Sequence, residues 1–146
     1  MKKIILSTLI SISLVGVAGC SHTAHAKVST KSQQAKKYDK MVEDCISDGS
    51  KNSSGAAEYN AIFIGCHKYG AEEIDKEIAR LSQNVLKDLD DYTKKEFNAA
   101  QQSWQVYREK QCYLESMFVG SPQWGVCMLN MTQARLNELQ SLYGEE

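Results

Sequence analysis

Large apolar residues recur along most of this chain at steps of three and four, the spacing that lines one face of an α-helix. One series runs through Ile62, Cys66, Tyr69, Ile74, Ile78, Leu81 and Val85. A second runs through Phe97, Ala100, Trp104, Tyr107, Leu114 and Phe118, and a third through Leu129, Thr132, Leu136, Leu139 and Tyr143. A shorter fourth occupies Tyr38 to Ile46, with Met41, Val42, Cys45 and Ile46 to one side. The intervening segments have turn chemistry. Ser47 to Gly55 is built of Ser, Asp, Gly, Lys and Asn, Asp88 to Asp91 is acidic, and Gly120 to Gly125 holds the one proline. Gly70 is placed to break or kink the helix it interrupts. No alternating run of β-branched residues predicts a strand. The pattern predicts an all-α domain, a small bundle of about four helices with each apolar stripe buried against its neighbours. Phe97, Trp104 and Tyr107 are then expected to be largely buried, and Trp124 to sit on the loop between the last two helices.

The N-terminal stretch has a different pattern. Met1-Lys2-Lys3 is followed by an apolar run from Ile4 to Val15 with only Ser and Thr as interruptions, and small residues then precede Cys20. This is the build of a bacterial secretion signal, and the run falls short of the ~20 residues of an ordinary membrane span. Val17-Ala18-Gly19-Cys20 also resembles the lipobox of bacterial lipoprotein precursors. That resemblance implies a signal over residues 1–19, cleavage before Cys20 and diacylation of Cys20, which then holds the protein to a membrane. Ser21 follows, and in the Gram-negative lipoproteins this resembles, a non-Asp residue there directs sorting to the outer membrane. The expected location is the cell envelope, lipid-anchored. The alternative is a plain secretory signal cut after Ala24-His25-Ala26. Residues 20–37 are rich in Ser, Thr, Ala, Gln and Lys and are expected as a flexible tether, leaving 38–146 as the folded domain.

Export changes the reading of charge and cysteines. A leader carrying Lys2 and Lys3 and no acid takes the net charge from −1 to −3 on removal. A mildly acidic chain argues against nucleic-acid binding, which calls for a basic face, and permits attraction to a cationic partner. With Cys20 assigned to lipid, Cys45, Cys66, Cys112 and Cys127 form an even set in an oxidising compartment. Of their three connectivities, Cys45–Cys66 and Cys112–Cys127 are favoured, because each pair brackets one helix connection. A zinc site is disfavoured: there is no Cys-x-x-Cys, and His22 and His25 lie in the tether. His67 adjoins Cys66, but neighbours on a helix point to different faces, which disfavours a Cys–His nucleophilic pair.

The most specific text is Ala100-Gln101-Gln102-Ser103-Trp104-Gln105-Val106-Tyr107-Arg108-Glu109-Lys110-Gln111-Cys112. It is followed by Cys127 and then Leu129-Asn130-Met131-Thr132-Gln133-Ala134-Arg135-Leu136-Asn137-Glu138-Leu139. These residues resemble the LprI-like lysozyme inhibitor family. Its members show an Ala-Gln-x-x-Trp-x-x-Tyr/Phe-Arg-Asp/Glu-x-x-Cys helix, a second Cys, and a Thr-x-x-Arg-x-x-Glu-Leu helix. The resemblance spans roughly Cys45 to Leu142. In the central helix, Ile74-Asp75-Lys76-Glu77-Ile78 keeps the apolar spacing of the family's Asp-x-x-Leu-Asn-x-x-Tyr but lacks its Asn and Tyr. The resemblance implies lysozyme as protein partner, with no cofactor. Trp104 and Arg108 lie one helical turn apart, so the guanidinium can stack on the indole. Glu138 is placed to pair with Arg108 across the bundle. Trp104, Arg108, Thr132 and Arg135 are therefore read as structural, and Trp124 as the candidate partner contact, with a fold-back onto the end of the bundle as its alternative.

Nothing in the chain has the spacing of a catalytic site. The acids cluster at Glu72-Glu73 and at Asp88, Asp90 and Asp91, where solvated faces and turns accommodate them. There is no Gly-rich phosphate loop, no His-x-x-x-His pair and no nucleophile elbow. The expected function is binding and inhibition of lysozyme, not catalysis. A structural or adaptor lipoprotein docking another envelope protein is the alternative, and a peptidoglycan-modifying enzyme is the reading the residues favour least.

Overall fold

A computed structural model of the chain describes residues 28–143, and all four elements in it are α-helices: α1 (Val28–Ser50), α2 (Ala56–Lys87), α3 (Asp91–Val119) and α4 (Pro122–Tyr143). Residues 1–19 and Cys20, with His22 and His25, lie outside the described residues. No described helix is long and apolar enough to cross a membrane.

The connections are short, and each has a local cause. Ser53 N–H bonds to the Ser50 carbonyl at 3.1 Å as α1 ends, and Glu58 accepts from Ser54 N–H at 2.8 Å as α2 begins. Asp90 caps α3 by accepting from Thr93 N–H at 3.0 Å and from the Thr93 hydroxyl at 2.7 Å. This leaves fewer of the first-turn donors unsatisfied. Gly120 closes α3 at φ 123°, a left-handed value that L side chains rarely adopt, and its N–H reaches the Ser116 carbonyl at 2.9 Å. Pro122 then starts α4, where its missing N–H costs no helical bond.

The helices do not form a square bundle. α2 and α4 pack most extensively on each other, with α1 laid on α2 and α3 on α4. Close approaches set the directions. Gly125 of α4 sits by Ile64 of α2, and Leu129 by Gly70, so the two central helices run parallel. Cys45 with Cys66 and Gly49 with Ile62 make α1 antiparallel to α2. Cys112 with Cys127 and Arg108 with Thr132 do the same for α3 against α4. The main core joins Tyr38, Val42, Ile74, Ile78, Leu81, Leu129, Leu136 and Leu139, and a second cluster gathers Ala71, Cys112, Cys127 and Met128. Both favoured disulfides, Cys45–Cys66 and Cys112–Cys127, are present.

Several expectations are corrected. Residues 28–37 are helical, not tether: Ala, Lys and Gln propagate a helix well, and Gln34 and the Ala35 carbonyl bond to Gln140 and Gln133 of α4. The loop expected from Ser47 begins only after Ser50. α2 passes unbroken through Gly70, where an added Cβ would lie 2.7 Å from Val42 Cγ2 and 3.0 Å from Leu129 Cδ1. The glycine lets three helices meet closely. Trp124 falls inside the first turn of α4, not on a loop.

The stripe read on α3 is also displaced. Phe97 and Trp104 are half-buried, but Tyr107 is 57% exposed, Leu114 50% and Phe118 87%. A mean step of 3.5 residues drifts by ~20° per heptad against a straight helix of 3.6 residues per turn. The series therefore slides off the line Phe97, Gln101, Trp104, Arg108, Cys112 that faces the domain. As an edge helix packed chiefly on α4, α3 buries only Arg108 and Cys112 fully.

Candidate functional site

The motif residues of α3 and α4 converge in a clasp between three helices. Arg108, 5% exposed, donates from Nη1 to both carboxylate oxygens of Asp75 on α2, at 2.9 and 3.0 Å. The same nitrogen donates to the Thr132 hydroxyl of α4 at 2.7 Å. Thr132 is wholly buried, and its hydroxyl donates a hydrogen bond to the Met128 carbonyl at 2.6 Å. Arg108 Nε is buried with no hydrogen-bond partner, so the clasp is not fully satisfied.

Trp104 completes it. The Arg108 guanidinium carbon lies 4.8 Å from the indole ring centre and that of Arg135 lies 5.8 Å away, both within cation–π range. Arg135 donates to the Gln101 side-chain oxygen from Nε at 2.8 Å and also from Nη2, and Nη1 reaches Glu138 at 2.6 Å. Trp104, Arg108, Thr132 and Arg135 therefore belong to one assembly. It fixes the register of α3 against α2 and α4.

The expected Arg108–Glu138 pair is not formed. Glu138 stands three residues after Arg135, on the same helix, and pairs there. Arg108 lies nearer the level of Thr132 and takes Asp75 instead. Asp75 was hidden among the acids Glu72, Glu73 and Glu77. The available signal was its position four after Ala71 and three before Ile78, both buried, which sets its side chain on the inward line. Gln101 was likewise missed, although it lies three before Trp104 on the facing stripe.

The remaining candidates are scattered. Trp124 is half-buried and packs on the cluster of Ala71, Cys112, Cys127 and Met128. Beside it, an added Cβ at Gly125 would meet the Ile64 carbonyl at 3.1 Å and Ile64 Cα at 3.2 Å, so the start of α4 lies directly on the α2 backbone. Cys66 is held in its disulfide, and His67 Nδ1 is 2.8 Å from the Phe63 carbonyl. Among the described residues, no three His, Cys, Asp or Glu side chains are grouped to hold a metal ion. An open apolar groove of about 290 Å³ lies between α3 and α4 at the end opposite Trp124, lined by Leu89, Phe97, Ala100, Leu139, Leu142 and Tyr143 among others.

Among the described residues, this geometry organises helices around the Arg108 clasp. The family model described as lysozyme inhibitor LprI matches residues 31–139, from α1 almost to the end of α4. No curated protein and no solved structure matches the chain.

Proposed function

The chain belongs to the lysozyme inhibitor LprI family, and from that membership we propose that it binds a lysozyme in the bacterial envelope and inhibits it. The observation carrying this reading is the extent of the match, which covers nearly the whole helical domain. The family is one of inhibitors, so the partner is an enzyme and this chain is not. Common lysozymes are cationic, and a chain of net charge −3 after leader removal attracts them at long range. Because Trp104, Arg108 and Thr132 are turned inward, lysozyme contact falls to exposed residues, with the motif holding the helices that carry them.

The finer part of the proposal is location. Cleavage before Cys20 and acylation of its thiol and amine place the domain on a membrane, and Ser21 directs it to the outer membrane in a Gram-negative host. Anchoring raises the local concentration of inhibitor where lysozyme arrives. Intact-mass analysis of the mature N-terminus tests the anchor: a diacylated or triacylated Cys20 is expected, and an unmodified start at Lys27 overturns it. Lysis of a bacterial suspension by lysozyme, with and without the purified protein, tests the function. Slower lysis in proportion to added protein is expected. Unchanged lysis rejects inhibition and leaves the adaptor reading, to be pursued by pulldown from envelope extract.

A further inference from the structure

α3 has a second face, turned away from the core, and it is apolar. Val106 is 49% exposed, Tyr107 57%, Tyr113 60%, Leu114 50%, Met117 65% and Phe118 87%. Through Val106, Lys110, Tyr113 and Met117 the face repeats at steps of four, three and four, with Tyr107, Leu114 and Phe118 along its flank. That repeat buries a helix against another helix. Yet α3 packs chiefly on α4, through the opposite line of Trp104, Arg108 and Cys112. Soluble monomers rarely expose contiguous apolar patches beyond a few hundred Å². The six side chains together expose roughly 700 Å², taking ~200 Å² for a large side chain.

We propose that this face is a homodimer interface, in which α3 of one copy packs against α3 of a second across a two-fold axis. Area argues for it: a stable complex buries about 800 Å² per partner, close to what the face offers. Self-complementarity argues for it too. A single helix face with helical spacing is matched by its own copy, and a two-fold axis perpendicular to α3 sets the two helix dipoles antiparallel. Charge does not oppose it. Lys110 is the one charge within the face and Glu109 borders it, so two copies meet without a single-sign field. The long Lys110 stem adds apolar contact while its ammonium reaches the rim. The face also lies on the C-terminal half of α3, toward the end of the domain away from Val28, where the chain enters α1. Two copies joined there keep both N-terminal ends free.

Sedimentation equilibrium of the purified protein across the micromolar range tests this. Wild type is expected to reach twice the chain mass. Leu114→Glu and, separately, Met117→Glu should each weaken dimerisation at least about tenfold. Both positions are half or more exposed, so helix content and melting of the monomer should be retained. A third variant, Phe118→Ser, reads the same face without adding charge. A wild type that stays monomeric overturns the proposal, as does a dimer unmoved by all three variants. Where wild type stays monomeric, loss of lysozyme inhibition in the Leu114→Glu variant assigns the face to the enzyme instead. Binding of a monomeric wild type to anionic lipid vesicles through this face overturns it in favour of a membrane contact.

Discussion

Arg108 shows how one side chain of the motif ties three helices together. Its guanidinium is taken out of water and compensated by a carboxylate, a hydroxyl and an indole drawn from three helices. Removing one member of such a set costs more than the set contributes net, because the others stay buried and unpaired. Asp75→Ala is therefore expected to lower stability by about 3 kcal/mol, the low end for a buried pair because Asp75 keeps some solvent access. Thr132→Val should cost about 1 kcal/mol, the worth of one buried hydrogen bond. Urea unfolding of both variants checks the order, and a Thr132→Val loss larger than that of Asp75→Ala contradicts the assignment of Asp75 as chief counter-charge. Trp124 poses a different residue-scale question. Packed on the Cys112–Cys127 cluster, its truncation to Ala should cost about 2 kcal/mol, less than for a fully buried Trp, and be seen as a lower melting temperature. Melting unchanged with inhibition lost would make it a contact residue instead.

At the scale of elements, the helices and their staples were legible and their neighbours were not. Three-and-four spacing marks a helix wherever it occurs, so α2, α3 and α4 stand out in Ile74, Ile78 and Leu81, in Phe97 and Trp104, and in Leu136 and Leu139. The disulfides were legible because each spans one short connection, 21 residues apart for Cys45–Cys66 and 15 for Cys112–Cys127. Spacing does not say which helix a stripe meets. A central helix and an edge helix differ in how much of their circumference is covered, and Tyr107, Leu114 and Phe118 look like core in a sequence although they face outward. The clasp was half legible: Trp104 and Arg108 share a helix face, but the counter-charge comes from a residue 33 positions away. In the chain-entropy picture each disulfide closure contributes about 3 kcal/mol. Replacing both cysteines of either pair with Ala should cost about 2–5 kcal/mol, measured by thermal melting. Losing Cys112–Cys127 is expected also to loosen the start of α4 on α2, visible as faster amide exchange around Gly125. The cap of α3 adds a pH dependence. Hydrogen bonds from the Thr93 side chain and backbone hold Asp90 below the usual carboxylate range. A carboxyl depressed on folding stabilises the fold above its unfolded pKa and loses that effect as pH falls through the lower folded value. Wild type should therefore shed this increment below about pH 4, and Asp90→Ala should melt lower at neutral pH with the difference narrowing in acid.

On the scale of the whole molecule, the proposed function assigns stability and recognition to different surfaces. The central pair α2 and α4, the two disulfides and the clasp make a rigid frame, while exposed side chains and net charge are left to meet a partner. Charge acts before contact. With the leader removed as proposed, a chain of −3 and a cationic lysozyme attract over distances that salt controls, since the Debye length is about 10 Å at 0.1 M and about 3 Å at 1 M. That attraction chiefly raises the association rate, whereas close apolar packing governs dissociation. Raising the salt from about 0.05 to about 0.5 M should therefore slow binding of lysozyme several-fold and leave the dissociation rate nearly unchanged. Surface-plasmon measurements on the immobilised protein separate the two rates. A dissociation rate that rises steeply with salt would mean that ion pairs close the complex, and would direct attention to the acidic turn of Asp88, Asp90 and Asp91. Rates indifferent to salt would mean that net charge plays no part in steering, and that exposed apolar side chains carry recognition alone.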